Sequence, residues 1–289
     1  QIIWGLVKKV VIADSCATYA NAVFDNYESM NSLSLMLGAV YFAFQIYGDF
    51  SGYSDIALGT SKLFGIDLLK NFNYPYFSRD IAEFWRRWHI SLSTWFRDYL
   101  YFPLGGSQGG MWMKVRNTFA IFLVSGFWHG ANWTFIAWGF LNALYFIPLL
   151  LLNKNRNHIE TISTHAVLPS LKEFFQIMTT FFLTVIAWIF FRADSLTHAF
   201  SILKGIFSKS FFQIPNFLGK HDLIYLLIHC SMIGVLLVIE WLHRDKQFGL
   251  QFNATMLQSK YKRWSLYTVL VLFILLFGGK QNNFIYFQF

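Results

Sequence analysis

Residues 117–152 read NTFAIFLVSGFWHGANWTFIAWGFLNALYFIPLLLL and contain no Asp, Glu, Lys or Arg. A helix needs about 20 apolar residues to cross the hydrocarbon core of a bilayer, because each residue rises about 1.5 Å. The run is long enough for two passes or for one broken pass. Strands of a β-barrel would alternate apolar and polar residues, whereas this run is apolar all round. The stretch therefore predicts membrane-spanning helices.

Four further apolar runs have the character of membrane-spanning helices. They are residues 33–50, 174–191, 222–242 and 264–279. Apolar residues make up 55% of the chain and charged residues only 13%, against about 25% charged residues in an ordinary soluble domain. These charges are too few to cover a soluble core of this size. The predicted fold class is therefore all-α, a polytopic transmembrane helical bundle.

The net charge of +8 is carried mainly by short polar breaks between the apolar runs, as the positive-inside rule expects. The break at residues 243–263 holds the cations Arg244, Lys246, Lys260, Lys262 and Arg263 against one acid, Asp245. It is the predicted cytoplasmic loop, which places residues 153–172 on the same side and the C-terminal tail outside. We therefore expect a multi-pass protein of the inner (cytoplasmic) membrane, surrounded by lipid and without a nucleic-acid partner.

The chain begins at Gln1 without an initiator Met or a signal-peptide pattern. We expect residues 1–289 to form a single membrane-embedded domain, the C-terminal part of a longer protein whose first spans precede it. Cys16 and Cys230 are too few for a disulfide framework. No redox role is predicted for them.

Residues 70–110 are too polar to span a bilayer and too aromatic for an ordinary loop. Phe84, Trp85, Trp88 and Trp95 recur at helical spacing, with charged residues between them. The pattern predicts a short helix that lies at the membrane interface or dips into the membrane. Polar helix at membrane depth is tolerated only where it is buried in protein or lines a water-filled cavity. A functional site is therefore expected in this segment.

His129 lies in the middle of the apolar run 117–152, and an ionisable side chain at such a place is costly and marks function. A neutral imidazole takes up a proton near pH 7, as a general base acting on an alcohol must. Asn132 would share the helix face of His129 and orient its ring or a substrate carbonyl. His89, followed by Ser91, is the second candidate. The structural alternatives are a hydrogen bond between helices for His129 and a headgroup-level position for His89.

The motif GDFSGYSD at residues 48–55 places glycines four residues apart, and Gly126 and Gly130 repeat this spacing. Small residues at this spacing let helices approach closely, so packing is the predicted role of these glycines. Asp49 stands at the end of a predicted span, where it would line a cavity. Asp55 would either do the same or cap the following helix.

No metal site is predicted, because the spacings His-x-x-His and Cys-x-x-Cys are absent. P-loop and dinucleotide fingerprints are also absent, and the all-helical pattern offers no strand-to-helix turn for a nucleophile elbow, which argues against a covalent enzyme intermediate and against a bound cofactor. Direct transfer of a group with the help of a base is the simpler chemistry.

Five motifs together carry a resemblance to a known family. They are FWRRWHISLSTWFRDYLYFPLGG at residues 84–106, GFWHGANW at 126–133, YGDFSGYSD at 47–55, NFNYPY at 71–76 and FIYFQF at 284–289. With them the chain resembles the membrane-bound O-acyltransferases, and the bacterial alginate O-acetyltransferase branch looks nearest. The motifs are long and extend over nearly the whole chain.

The resemblance implies re-entrant or interfacial helices around a central tunnel, where a cytoplasmic acyl donor meets an acceptor that is reached from outside. Carried over to this sequence, it makes His129 the essential histidine and His89 its partner across the reaction chamber. The residues expected to line the tunnel or contact substrate are Asn132, Trp128, Trp88, Ser91, Arg97, Asp98 and Asp49.

The implied function is transfer of an acetyl group from acetyl-CoA, or of an acyl group from another thioester, to hydroxyls of an exopolysaccharide such as alginate. Transfer would be direct or through a periplasmic partner protein. D-alanyl transfer to teichoic acid and O-acyl transfer to peptidoglycan are alternatives within the class. A proton-coupled transporter or a structural membrane subunit is the alternative from another class. Transporters usually show duplicated halves with matching broken helices, and the sequence shows none.

Overall fold

The computed structural model describes residues 1–163, 166–208, 213, 215, 222–252 and 259–278. Within these ranges the regular structure is helical and no strand occurs, which confirms the all-α prediction. The helices are α1 (Ile2–Leu6), α2 (Asp14–Asp25), α3 (Ser32–Leu63), α4 (Ile81–Arg87), α5 (Ile90–Phe96), α6 (Gly110–His129), α7 (Trp133–Leu151), α8 (Leu171–Arg192), α9 (Leu196–Ile206), α10 (Asp222–Leu242) and α11 (Lys260–Phe277). Val7–Ala13 and Arg97–Tyr101 are π-helical, and Tyr27–Ser29 and Pro75–Phe77 form 3₁₀ turns. The motif at residues 284–289 lies outside the described residues.

The helices form two compact units. The first contains Gln1–Lys70 and the described residues from Gly205 onward, and the second contains Asn71–Lys204. The expectation of a single membrane-embedded domain stays a prediction.

Helix α3 is the longest element of the first unit, with 32 residues from Ser32 to Leu63. Its first turn is capped by the side chain of Asn31, which accepts the N–H of Ser34 at 2.9 Å. We expected the span to end at residue 50 and offered Asp55 as the cap of a following helix. Both expectations are wrong, because α3 passes through these positions without a break and Asp55 is buried within it.

The N-terminal helices pack closely along α3, and two glycines make this possible. A Cβ atom at Gly48 would lie 2.9 Å from the carbonyl oxygen of Lys8, and one at Gly52 would lie 2.8 Å from that of Gly5. Both distances are shorter than real Cβ contacts, so a larger residue would push the helices apart. The predicted packing role of these glycines is confirmed.

Buried ion pairs join the same helices. The ammonium group of Lys8 lies 2.6 Å from Asp55, and that of Lys9 lies 2.8 Å from Asp49 and 3.0 Å from Asp14. The side chains of Lys8, Asp49 and Asp55 are almost fully buried. Each buried charge therefore has an opposite charge beside it, which reduces the large cost of removing it from water.

The C-terminal predicted spans are also helical. Helix α10 coincides with the predicted span 222–242, and α11 begins at Lys260, a few residues before the predicted span 264–279. On α10, both carboxylate oxygens of Glu240 lie 2.8 Å from the hydroxyl of Tyr47, which donates to them. Glu240 is thus a buried carboxylate whose partner lies on α3.

In the second unit the apolar run 117–152 folds as two helices with a break between them. Helix α6 ends at His129, and α7 begins at Trp133. The two helices pack against each other through Gly126, where a Cβ would collide with the carbonyl oxygen of Phe135. The packing role predicted for Gly126 is therefore confirmed.

The last long helix of the second unit, α8, starts with a capping box. Ser170 and Glu173 bind each other's backbone N–H groups, which fixes the start of the helix. In the part of the chain that the structure describes, α3, α7 and α8 are the helices both long and apolar enough to cross a membrane. The prediction of a membrane helical bundle is confirmed by the length and the apolar composition of these helices.

Candidate active site

The first element of the site is the junction between α4 and α5, which carries His89. Asp80 caps α4 by accepting the N–H of Glu83 at 2.7 Å. The helix stops at Arg87, Trp88 is extended, and His89 has a left-handed backbone with φ 44° and ψ 57°. We predicted one helix through this segment; it is interrupted at Trp88 and His89. Such a conformation is costly for a residue other than glycine and often marks a functional position.

Polar contacts hold the junction in place. Asn71 accepts the N–H of Ile90 with its backbone oxygen at 3.0 Å and the N–H of Ser91 with its side-chain oxygen at 3.2 Å. Below the junction, the buried carboxylate of Glu83 binds Arg87 at 2.7 Å and Arg79 at 3.0 Å. These bonds over-determine the turn, which allows the unusual backbone of His89 to persist.

The second element is the end of α6, where His129 is surrounded by rings. The centroid of its imidazole lies 4.9 Å from that of Phe191, 5.3 Å from that of Trp138 and 5.0 Å from that of Trp128. All three pairs are edge-to-face. The imidazole is half-buried, so its ring is held by packing while part of it stays accessible.

A continuous set of rings joins the two elements. We define the aromatic cluster as Trp88, Trp138, Trp188 and Phe191. Trp188 lies 5.1 Å from Trp88 and is stacked on Trp138 at 5.9 Å. Trp88 precedes His89 in the chain, and Trp138 contacts His129. The cluster thus packs directly against His129 and contains the residue that precedes His89.

The position of Asn132 differs from the prediction. It does not share a helix face with His129, because α6 has ended and Asn132 is the N-cap of α7. Its side-chain oxygen accepts the N–H of Thr134 at 3.1 Å, and its amide donates to the carbonyl of Asp194 at 3.2 Å. The amide is therefore committed to capping and to holding the loop after α8.

The other residues expected at the site fall into different places. Trp88 is buried in the aromatic cluster, and Trp128 touches His129 but is about half exposed, at 54%. Arg97 and Asp98 are exposed and bind each other at 2.8 Å, and this hydrogen bond lowers the pKa of Asp98 below its ordinary value. Their side chains already satisfy one another.

Asp49 belongs to the first unit, where its carboxylate is bound by Lys9. The structure therefore gives Asp49 a role in the buried ion pairs. Its expected role as a tunnel-lining residue stays a prediction.

Sequence reasoning missed three members of the site: Trp138, Trp188 and Phe191. All three are buried, and they lie in runs that read only as apolar spans. The indole N–H of Trp188 has no acceptor among the described residues, although it is buried. A buried indole N–H usually has a partner, so its missing acceptor becomes visible only in the folded structure.

No group of three or more His, Cys, Asp or Glu side chains suited to a metal ion occurs in the described part of the chain. The chemistry available at the site is that of two imidazoles, an indole donor and a set of apolar walls. Such a site can accept a proton and can hold an uncharged substrate away from water.

Comparison with known proteins adds the family. Residues 1–191 match the family model described as MBOAT, the membrane-bound O-acyltransferase family. A peptidoglycan O-acetyltransferase of Helicobacter pylori is 34% identical over 99% of this chain and 55% of its own length. A probable alginate O-acetylase of Pseudomonas aeruginosa is 42% identical over 73% of this chain and 38% of its own length.

A third relative, the teichoic acid D-alanyltransferase of Streptococcus thermophilus, is 42% identical over 37% of the chain and 28% of its own length. The chain therefore spans about half, or less, of the length of these relatives. Their names share transfer of an acyl group, and they differ in the acyl group and in the acceptor.

Proposed function

Because the chain belongs to the membrane-bound O-acyltransferase family, we propose that it transfers an acyl group from a thioester donor to a hydroxyl of a cell-envelope polymer. The observation that carries this proposal is the packing of His129 against the aromatic cluster, which also contains Trp88, the residue before His89. It provides a proton acceptor in apolar surroundings, where an alcohol can attack a thioester in preference to water.

In this proposal His129 is the general base. Its imidazole takes the proton from the acceptor hydroxyl as the hydroxyl oxygen attacks the thioester carbonyl carbon. A well-placed base contributes about 10²- to 10⁴-fold in rate. His89 acts as its partner, polarising the donor or sharing the proton.

The transferred group is proposed to be acetyl, supplied by acetyl-CoA or a similar thioester on the cytoplasmic side. The proposed acceptor is an exopolysaccharide such as alginate. Two of the relatives are named as O-acetyl-transferring proteins, and their matches cover 99% and 73% of the chain. The match to the D-alanyltransferase covers only 37%. Transfer occurs directly or through a periplasmic partner protein, in the inner membrane of the cell.

The test is the variant His129→Ala in the protein purified from membranes. We expect the rate of acyl transfer, followed as thiol release and as ester-linked acetate on the polymer, to fall by about 10²- to 10⁴-fold. The folded fraction should change little, because the imidazole is only half-buried and the rings of Trp138 and Phe191 that pack against it also pack against each other.

The matched control is His158→Ala, which removes an imidazole from a loop of the same unit. This variant should transfer acetyl like the natural protein. Transfer by the His129 variant at the natural rate would refute the assignment of the base. Ester-linked D-alanine in place of acetate would keep the reaction class and change the acyl group.

A further inference from the structure

Trp188 occupies the centre of the aromatic cluster. Its ring contacts Trp88 at 5.1 Å, Phe191 at 5.2 Å and Trp138 at 5.9 Å, and only 2% of the residue is exposed. Trp88 leads to His89 in the chain, and Phe191 and Trp138 both touch His129. Trp188 therefore contacts both the residue that precedes His89 and the two rings that pack against His129.

The indole N–H of Trp188 is buried, and no described residue accepts its hydrogen bond. A neighbouring tryptophan shows the ordinary arrangement: the N–H of Trp85 donates to the side-chain oxygen of Asn142 at 3.1 Å. Leaving a buried donor without an acceptor is unfavourable, and native structures rarely do so without a reason. A bound acceptor that the chain itself does not supply is such a reason.

We propose that the indole N–H of Trp188 donates to the carbonyl oxygen of the acyl donor and stabilises the oxyanion that forms there. This inference rests on the proposed function. Acyl transfer needs a donor aimed at the oxygen that becomes negative, and a donor in a site without water is especially effective. The amide of Asn132, the donor the sequence offered, lies at the N-cap of α7 and gives one of its N–H groups to Asp194.

Transfer passes through a tetrahedral oxyanion. The acceptor oxygen forms a bond to the carbonyl carbon, its proton passes to His129, and the carbonyl π electrons move onto the oxygen that faces Trp188. When the oxyanion collapses, the carbon–sulfur bond breaks and the thiolate leaves. The proton on the imidazole then passes to the thiolate, so the products are an ester and a thiol. Trp188 keeps its proton throughout and acts by hydrogen bonding alone.

The test replaces the donor and keeps the ring. Benzothienylalanine at position 188 has the bicyclic shape of tryptophan with sulfur in place of N–H, and Trp188→Phe is the encoded counterpart. We expect kcat to fall by about 10²- to 10³-fold with KM for the thioester nearly unchanged, because the bond is strongest in the transition state. The benzothienyl protein should be at least as resistant to thermal unfolding as the natural protein, since the lost N–H has no acceptor among the described residues.

Two control variants distinguish stabilisation of the oxyanion by Trp188 from a purely structural role of its ring. Trp4→Phe removes another buried indole N–H without an acceptor among the described residues, in the first unit, and should leave kcat unchanged. Trp85→Phe removes a donor that has a partner and should lower thermal stability, because Asn142 loses its bond.

A benzothienyl protein with the natural kcat overturns the proposal. So does one that loses thermal stability and keeps kcat, since the N–H would then be bonded to a neighbouring ring face. If the natural protein itself transfers no acyl group from any thioester, the proposed function falls and this inference with it. Normal transfer by the natural protein and by the benzothienyl variant rejects the role of Trp188 alone.

Discussion

Polar groups are buried in opposite ways in the N-terminal ion pairs of the first unit and in the aromatic cluster of the second. In the first, Lys8 and Lys9 are matched by carboxylates on neighbouring helices, so each charge is neutralised at about 3 Å. In the second, His129 and the N–H of Trp188 are surrounded by aromatic rings. Polar groups that neutralise one another hold helices together. Polar groups set in an apolar wall retain the capacity to act on a third molecule, which is the difference between a scaffold and a reactive site.

The physical reason lies in the local dielectric. A charge beside its counterion has little field left for a substrate, whereas an imidazole or indole in apolar surroundings interacts strongly with any dipole that arrives. Variants of the ion pairs and of the aromatic cluster should therefore fail differently. Those of the ion pairs should lose stability, and those that remove a polar group from the cluster should lose rate.

The largest effect is expected from Lys8→Met in the first unit. The change leaves Asp55 buried with its carboxylate short of a counterion, and breaking such a pair typically costs about 3–5 kcal/mol. Unfolding of the purified protein in detergent, followed by temperature or denaturant, measures the loss. The double variant Lys8→Met with Asp55→Leu should recover most of it. Natural stability in the single variant would contradict the structural role of the pair.

A smaller effect is expected where the fold positions His129. In Gly126→Ala the new methyl group meets the carbonyl oxygen of Phe135, and overpacking of this kind costs about 1–3 kcal/mol. Acyl transfer by the folded fraction should also fall, because the end of α6 must shift. Both effects are measured on one sample, by unfolding and by thiol release.

Gly234→Ala is the matched control, since no described atom lies within 4 Å of the added methyl group. Alanine in place of glycine inside α10 should stabilise the helix by up to about 1 kcal/mol. Equal stability losses in the Gly126 and Gly234 variants would show that packing at Gly126 is not special.

The smallest effect is expected from Arg97→Ala and Asp98→Ala. The pair is exposed and its members bind each other, so stability should not change measurably. Activity should also stay at the natural level. A clear drop in kcat or rise in KM in either variant would return both residues to the substrate path, as the sequence analysis expected, and would extend the reactive region beyond the aromatic cluster.

Much of the fold followed from the sequence, because a bilayer leaves few choices. The apolar runs at 174–191 and 222–242 are helices, as their length and lack of alternation required. The sequence was a weaker guide to where a helix ends or breaks within an apolar run. The break after His129 was left open, and the continuation of α3 past residue 50 was missed, because Asp55 reads as a helix end until Lys8 is beside it.

The candidate site was less accessible to prediction. His89 and His129 stood out as ionisable residues in unusual surroundings, and the family resemblance paired them. Trp188 gave no sign, because the missing acceptor of its N–H is a property of the folded neighbourhood and has no counterpart in spacing or composition. Asn132 was misplaced for a related reason: position i+3 implies a shared face only if the helix continues, and α6 stops at His129.

The end of α6 at His129 has an electrostatic consequence. The aligned peptide dipoles of a helix leave partial negative charge at its last carbonyl groups, which favours a nearby cation by about 0.3–1 kcal/mol. His129 is the final residue of this 20-residue helix. An imidazolium formed there during the reaction would sit where the backbone itself carries the opposite sign, so stopping the helix at this residue gives the transferred proton a place to reside.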